Sequence, residues 1–255
     1  MKILKFTISG DTAFFRNPDT NEESITFSYG QLHKVALMGI LGGILGFEGH
    51  NRGFIKYGKN YTHPEFYKEL KDIKIAIAPN AKFGYFNRSK QTCINNAGYS
   101  SSSGLGQTLI YHEQFIENVS WDIYINLDSL NVDLAIKLED YIINNKAVYY
   151  PYLGKTNHYA EITNTKLLEG KILESKNNVN IDVLFPLKDN KKSDVFDMSD
   201  FLNMSNIFEY RESLPISYSN DNTFYKTEMF IFTNKKLDIV SDEIVFAENK
   251  NIIFY

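Results

Sequence analysis

Lys155 lies in the run Leu153–Gly154–Lys155–Thr156–Asn157–His158, where a glycine precedes a cation and three hydrogen-bonding side chains. Gly154 opens backbone conformations closed to other residues. Lys155 can meet a phosphate, and Thr156, Asn157 and His158 can donate hydrogen bonds to it. Gly154 could equally serve a plain turn. A second group spans Pro79 to His112, with Lys82, Arg88 and Lys90, no acidic residue, and the interleaved rings Phe83, Tyr85, Phe86, Tyr99 and Tyr111. Cations contact phosphates, and rings offer flat surfaces to splayed bases. The plainer alternative is a hairpin whose rings pack on the domain. A third group, Tyr29, His33 and Lys34, stands at the entry to a long apolar segment with helical spacing. The amides of a helix N-terminus and a nearby lysine both attract phosphate. Tyr, His and Lys are also the residue types that act on a ribose 2′-hydroxyl by general acid–base chemistry without a metal.

Other chemistries find little support. Cys93 is the only cysteine, so an internal disulfide and a Cys-rich zinc site are excluded, and a reducing compartment fits. Glu48, His50 and His63 are spaced irregularly, with no HExxH-like repeat, so neither a metal nor another cofactor is expected. Gly39, Gly42, Gly43 and Gly46 are not followed by Gly-Lys-Ser/Thr and do not form a phosphate loop. Asp194, Asp197 and Asp200 read as a solvated acidic stretch. The longest apolar run, Val35 to Phe47, is 13 residues with four glycines, short of the about 20 needed to cross a bilayer. The start MKILKFTISGDTAFF lacks the organisation of a signal peptide. A soluble, cytoplasmic protein with no membrane partner is the expectation.

Lys and Arg total 27 and Asp and Glu 31, a net charge of -4, which excludes a polybasic protein. The charge is uneven. Residues 1–115 carry 13 basic and 9 acidic side chains; residues 116–255 carry 14 and 22. An anionic partner would therefore meet the first part more readily, and protein partners the second.

These residues must be positioned by elements that the hydrophobic pattern outlines. Ile3–Ser9, Ile73–Ala78 and Ser120–Leu127 alternate as strands, and a strand near Tyr159–Leu167 follows. Phe14–Phe15 and Ile25–Tyr29 flank a turn-rich segment and suggest a ragged hairpin. Gln31–Leu45, Pro64–Asp72 and Val132–Asn144 read as helices. The glycines of the first helix cost roughly 1 kcal/mol each, which close approach of the helix to a sheet would offset. The order strand, helix, strand, strand, helix, strand is that of the ferredoxin-like split βαβ fold, an α+β class also used by RNA-recognition motifs. The insertion at 79–118 is too long for a plain connection. Val179–Phe185, Ile207–Leu214, Thr223–Phe232, Ile239–Phe246 and Ile252–Phe254 suggest a β-rich extension or small subdomain over 171–255, after a first unit at 1–170.

Three segments together resemble a known family: residues 3–47, the stretch YYPYLGKTNHYAEI at 149–162, and EYRESLPISYSNDNTFYKTEMFIF at 209–232. They look like the Cas-five family of CRISPR-associated RAMP proteins, most similar to its type I-B branch. Leu153–Gly154–Lys155 matches the family's Leu-Gly-Arg/Lys loop. The resemblance implies a ferredoxin-like RAMP domain whose insertion is a β-hairpin thumb. It implies a non-catalytic subunit of an antiviral Cascade complex that binds the 5′ handle of CRISPR RNA. Such a subunit caps the filament of Cas-seven backbone subunits and contacts the large interference subunit; target DNA enters only within the complex. The type I-C branch, which the sequence resembles less, is implied to cut precursor CRISPR RNA with a Tyr, Lys and His set. The adjacent Lys and His expected in its thumb region are missing here, since His112 follows Tyr111. A third alternative is an interaction module with no RNA role. The expected RNA contacts are Tyr29, His33, Lys34, Lys82, Arg88, Lys90, Gly154, Lys155, Thr156, Asn157 and His158, converging into one cradle.

Overall fold

A computed structural model describes residues 1–22, 25–95, 109–187, 207–219, 224–240 and 242–255. Its centre is an antiparallel sheet of β1 (Lys2–Ala13), β4 (Lys74–Pro79), β6 (Leu109–Asn126) and β7 (Glu161–Glu169) in the order β7-β1-β6-β4. The connections run through α1 (Lys34–Leu45), α2 (His50–Tyr57) and α3 (Glu65–Leu70) between β1 and β4, and through α4 (Val132–Ile143) between β6 and β7. This is the predicted ferredoxin-like topology.

Period-two alternation decides what each strand buries. Leu4, Phe6 and Ile8 of β1, Ile75 and Ile77 of β4, and Trp121, Ile123 and Ile125 of β6 form one core with Leu37, Met38 and Leu41 of α1. Ile3, Ala76, Ala78 and Tyr124 sit in a second core with Ile181, Val183, Phe185, Val245 and Ile252. C-terminal segments therefore cover this part of the second sheet face, which RNA-recognition motifs leave open for RNA. The cover is anchored through Tyr255, whose N–H and carbonyl both pair with Ile75 (3.0 and 3.2 Å). A buried ion cluster adds to it: Asp122 meets Lys5 at 3.3 Å and Lys250 at 3.2 Å.

The insertion is a hairpin. β5 (Asn87–Asn95) pairs with the first half of β6 from Asn87↔Glu117 to Asn95↔Leu109. β6 is thus one 18-residue strand serving both sheet and hairpin. β2 (Arg16–Glu22) and β3 (Ile25–Ser28) form the ragged hairpin, and β3 joins β6 in parallel. The C-terminal part contains β8 (Lys171–Ile172), β9 (Phe185–Pro186), β10 (Glu209–Tyr218), β11 (Tyr225–Thr233), β12 (Ile244–Ala247) and β13 (Lys250–Ile253). Only the end of the predicted Val179–Phe185 strand is one; the rest makes the single bridges Val179↔Leu237 and Ile77↔Leu184. Asp194, Asp197 and Asp200 lie outside the described residues.

Two expectations about the first helix need correction. It begins at Lys34 with His33 as N-cap, not at Gln31. Its glycines are not packed on a sheet. Only Gly42 is approached closely within the core, by Phe66 of α3; a Cβ on Gly43 would meet nothing within 4 Å. Gly154 is a different case. Its φ is +90° and a Cβ would collide with the Phe14 carbonyl. Gly154→Ala should destabilise the chain by roughly 1–3 kcal/mol in urea unfolding; a loss below about 0.5 kcal/mol, the scale of an ordinary surface change, would show that the loop yields.

Candidate nucleic-acid interface

One face of α1 carries Ala36, Gly39, Gly43 and Gly46 at i, i+3, i+4 spacing, and these remain partly solvent-accessible while most of the helix is buried. They form the floor of a groove of about 810 Å³. Residues 149–155 make one wall, held to α1 where Val148 N–H donates to Ile44 O (2.9 Å) and Tyr149 N–H to Gly43 O (3.2 Å). Phe14, Phe15 and Arg16 lie where β1 gives way to β2, and His50, Arg52 and Tyr218 complete the lining. Arg16, Arg52 and Lys155 are thus three cations on one concave surface, with Glu48 as its acid. Tyr149 and Tyr150 are 51% and 89% exposed.

The hexapeptide turns back on itself against β1. Leu153 N–H donates to His158 O (2.7 Å), and Phe14 N–H donates to Leu153 O (3.0 Å). His158 is buried, with Nδ1 at 2.5 Å from Thr12 Oγ1. Burial and then the Lys155 charge lower its pKa, so the ring is a neutral anchor rather than a surface donor. Gly154 is the turn residue. Thr156 and Asn157 are exposed at the tip. Lys155 Nζ ion-pairs with Glu113 of β6 and lies 4.7 Å from the Phe14 ring centroid.

The single cradle expected from the sequence does not form. Gln91 opposes Glu113 and Lys90 opposes Gln114 across the hairpin, so alternation projects Arg88 and Lys90 from the face opposite Glu113 and its partner Lys155. Arg88 instead lines a recess of about 560 Å³ with Asp19 and Glu212, and Nη1 lies 3.5 Å from Gln114 Oε1. Glu212 accepts from Gly30 N–H (2.8 Å) and Tyr210 Oη (2.6 Å), and burial raises its pKa. Lys82 is exposed, 5.1 Å from the Phe83 ring centroid. Phe83, Tyr85 and Phe86 pack on Phe208, Tyr210 and Trp121, the plainer alternative for these rings. Tyr99 lies outside the described residues.

The third group is corrected as well. Tyr29 is 2% exposed and its buried hydroxyl has no hydrogen bond among the described residues; burial raises its pKa. Lys34 Nζ donates to the Tyr255 carbonyl at 3.1 Å. His33 is 4% exposed and its Nδ1 accepts from Ala36 N–H at 3.2 Å. Burial pushes its pKa down to about 3, so the ring is neutral near neutral pH. These three side chains do not form an open acid–base set. Their sequence adjacency to a helix N-terminus was misleading because the helix docks that end into the core.

Sequence reading missed Arg16, Arg52 and His50. His50 is held between two tyrosines, Nδ1 at 2.8 Å from Tyr61 Oη and Nε2 at 3.1 Å from Tyr218 Oη, and burial lowers its pKa. Tyr218 is 168 residues away, and spacing to it carried no signal. The tyrosines directly before Gly154 did carry one.

No protein-family model matches the chain, and no curated protein matches it in sequence. Solved structures do. A chain of a CRISPR RNA-guided surveillance complex superposes with a TM-score of 0.50 at 8% identity, covering 94% of this chain and 92% of that one. A CRISPR protein from Archaeoglobus fulgidus gives 0.49 at 8%, covering 99% and 98%. The chain of the surveillance complex thus shares this fold. The strand order makes it the ferredoxin-like fold expected above. Among the described residues, no helix is long and apolar enough to cross a membrane.

Because the folded-state pKa of His33 is depressed, the unfolded chain takes up a proton below about pH 6.5 that the folded chain refuses. Stability from this ring is full above that pH and is lost as pH falls toward 3. His33→Asn keeps a capping acceptor and removes the titration. Between pH 7 and 4.5 the wild type should lose about 2–3 kcal/mol more than the variant in urea unfolding; equal losses would contradict a neutral, buried imidazole.

Proposed function

We propose that the chain is an RNA-binding subunit of a CRISPR RNA-guided interference complex. It holds the 5′ handle of the guide RNA, caps the filament of Cas-seven backbone subunits, touches the large subunit, and does not cut RNA. The observation that supports this reading most is the groove. Three cations and exposed tyrosines line one concave surface of an otherwise acidic protein, on a fold shared with a chain of a CRISPR RNA-guided surveillance complex. Cations neutralise phosphates, and rings stack on unpaired bases whatever their identity. Sequence specificity in such complexes is left to base pairing.

Arg88, Lys90 and Lys82 supply a second set of contacts beyond the hairpin. An RNA touching Lys155 and the pair Arg88 and Lys90 has to bend round the hairpin base, since Glu113, the partner of Lys155, projects from the face opposite Arg88 and Lys90. Target DNA meets the chain only within the assembled complex. The acidic second half is left for protein partners.

Lys155 gives the test a direction. Its charge is held by Glu113, which RNA must compete with. In anisotropy titrations of a repeat-derived single-stranded RNA over a range of salt, Lys155→Ala should weaken binding and reduce the salt slope by about one unit or less. Glu113→Gln should tighten binding. The RNA should remain intact after incubation in EDTA. An unchanged slope in Lys155→Ala removes Lys155 from the interface; absence of any binding at low salt removes the proposal; cutting at one position in the repeat makes the chain a nuclease.

A further inference from the structure

His33 has one ring nitrogen that no described residue uses. The ring is more than nine-tenths buried, it lines the groove, and its Nδ1 is occupied as an acceptor from Ala36 N–H. In the neutral ring the proton must then sit on Nε2. That N–H has no hydrogen-bond acceptor among the described residues, and the rings around it, Phe15, Tyr29 and Tyr225, have centroids 5.9, 5.1 and 5.9 Å away. Nε2 is not among the fully enclosed unpaired atoms, which among the described residues are Tyr29 Oη and Tyr124 Oη; it is reached from the groove that the ring lines, where an acceptor from outside the chain can meet it.

The floor beside it poses the same question in steric terms. Gly39 and Gly43 weaken α1, yet among the described residues only the edge of the Phe66 ring reaches the space they leave. A Cβ on Gly43 would touch nothing within 4 Å, and one on Gly39 only the far edge of the Phe66 ring. The groove volume lies within the roughly 300–1,000 Å³ of sites that enclose small ligands. Its walls are aromatic, and its cations are exposed or partly exposed.

We infer that the groove seats one unstacked nucleobase of single-stranded RNA against the Gly39–Gly43 face of α1, with His33 Nε2–H donating to an acceptor on the base edge and Arg16 and Lys155 facing its phosphate. A flat ring fits a slot without Cβ atoms, an acceptor edge fits the Nε2–H that the groove reaches, and the attached phosphate fits the cations. An apolar peptide segment could fill the slot and offer a backbone carbonyl to the donor, but it would leave the cations without an anion. This assignment rests on the RNA-binding reading above and adds to it one nucleotide in one pocket.

The test removes bases one at a time. A repeat-derived RNA is made as a series with a single abasic position moved along it, and each is titrated by anisotropy against wild type, Gly43→Leu and His33→Asn. Gly43→Leu fills the slot while improving helix propensity, so thermal unfolding should occur no lower than in wild type. Gly43→Ala is the milder variant should leucine disturb the fold. In wild type, one abasic position should weaken binding at least about tenfold, the scale of a lost base–ring contact. In Gly43→Leu the intact RNA should bind correspondingly less well, and that abasic position should cost nothing more. His33→Asn should also flatten the profile.

An even abasic profile in wild type, with binding still sensitive to Lys155→Ala, overturns the base seat and leaves the RNA reading standing. Wild-type affinity and an unchanged profile in Gly43→Leu do the same. No RNA binding by wild type overturns both. Free AMP, GMP, CMP and UMP should bind weakly and compete with the RNA. A monophosphate that binds tightly, is lost in Gly43→Leu and is not displaced by RNA would make the occupant a free nucleotide and overturn the assignment to an RNA chain.

Discussion

The groove exists because residues 153–158 are folded back against the end of β1. The reversal is closed by two backbone bonds, Leu153 to His158 and Phe14 to Leu153, and by the His158–Thr12 contact. It leaves no space for a side chain at position 154. Once the loop is seated, Lys155 has a fixed origin, the tyrosines at 149–152 become a wall, and the backbone of 148–149 completes the C-terminal turn of α1. A single left-handed glycine thus connects local conformation to the position of a cation and to the shape of a cavity.

Charge arithmetic on the chain does not carry over to its surface. Several acidic residues of the second half are consumed internally. Asp122 lies between Lys5 and Lys250, and Glu212 is bonded to Gly30 and Tyr210. Some cations of the first half are also consumed, Lys5 by Asp122 and Lys34 by the Tyr255 carbonyl. Arg16 and Arg52 come from separate segments that tertiary structure brings together around α1. A modest basic bias in residues 1–115 therefore becomes a local concave site, while the protein as a whole stays acidic.

The parts of the fold legible in the sequence were those with strong period. β1, β4, the second half of β6 and α4 repeat apolar residues at spacings of two or 3.6, and the order of these elements gives the topology. α2 was not legible: its Phe54 and Ile55 are 63% and 84% exposed, so it lacks the buried stripe that marks a helix. Lys155 and its turn were readable because glycine, cation and polar residues are contiguous. The sidedness of the hairpin was not, because it depends on the register between β5 and β6, which the sequence pattern does not reveal. Tyr29 and His33 misled because burial is decided by partners such as Phe15 and Tyr225, one of them almost two hundred residues away.

The most direct measurement is photo-crosslinking of a repeat RNA carrying 4-thiouridine at successive positions, with the attached peptides identified by mass spectrometry. The account predicts that one position in the RNA crosslinks to peptides of α1 and of residues 149–158, with neighbouring positions reaching the β5–β6 hairpin. Crosslinks confined to the C-terminal strands, or spread evenly over the surface with none at α1 and 149–158, would contradict it.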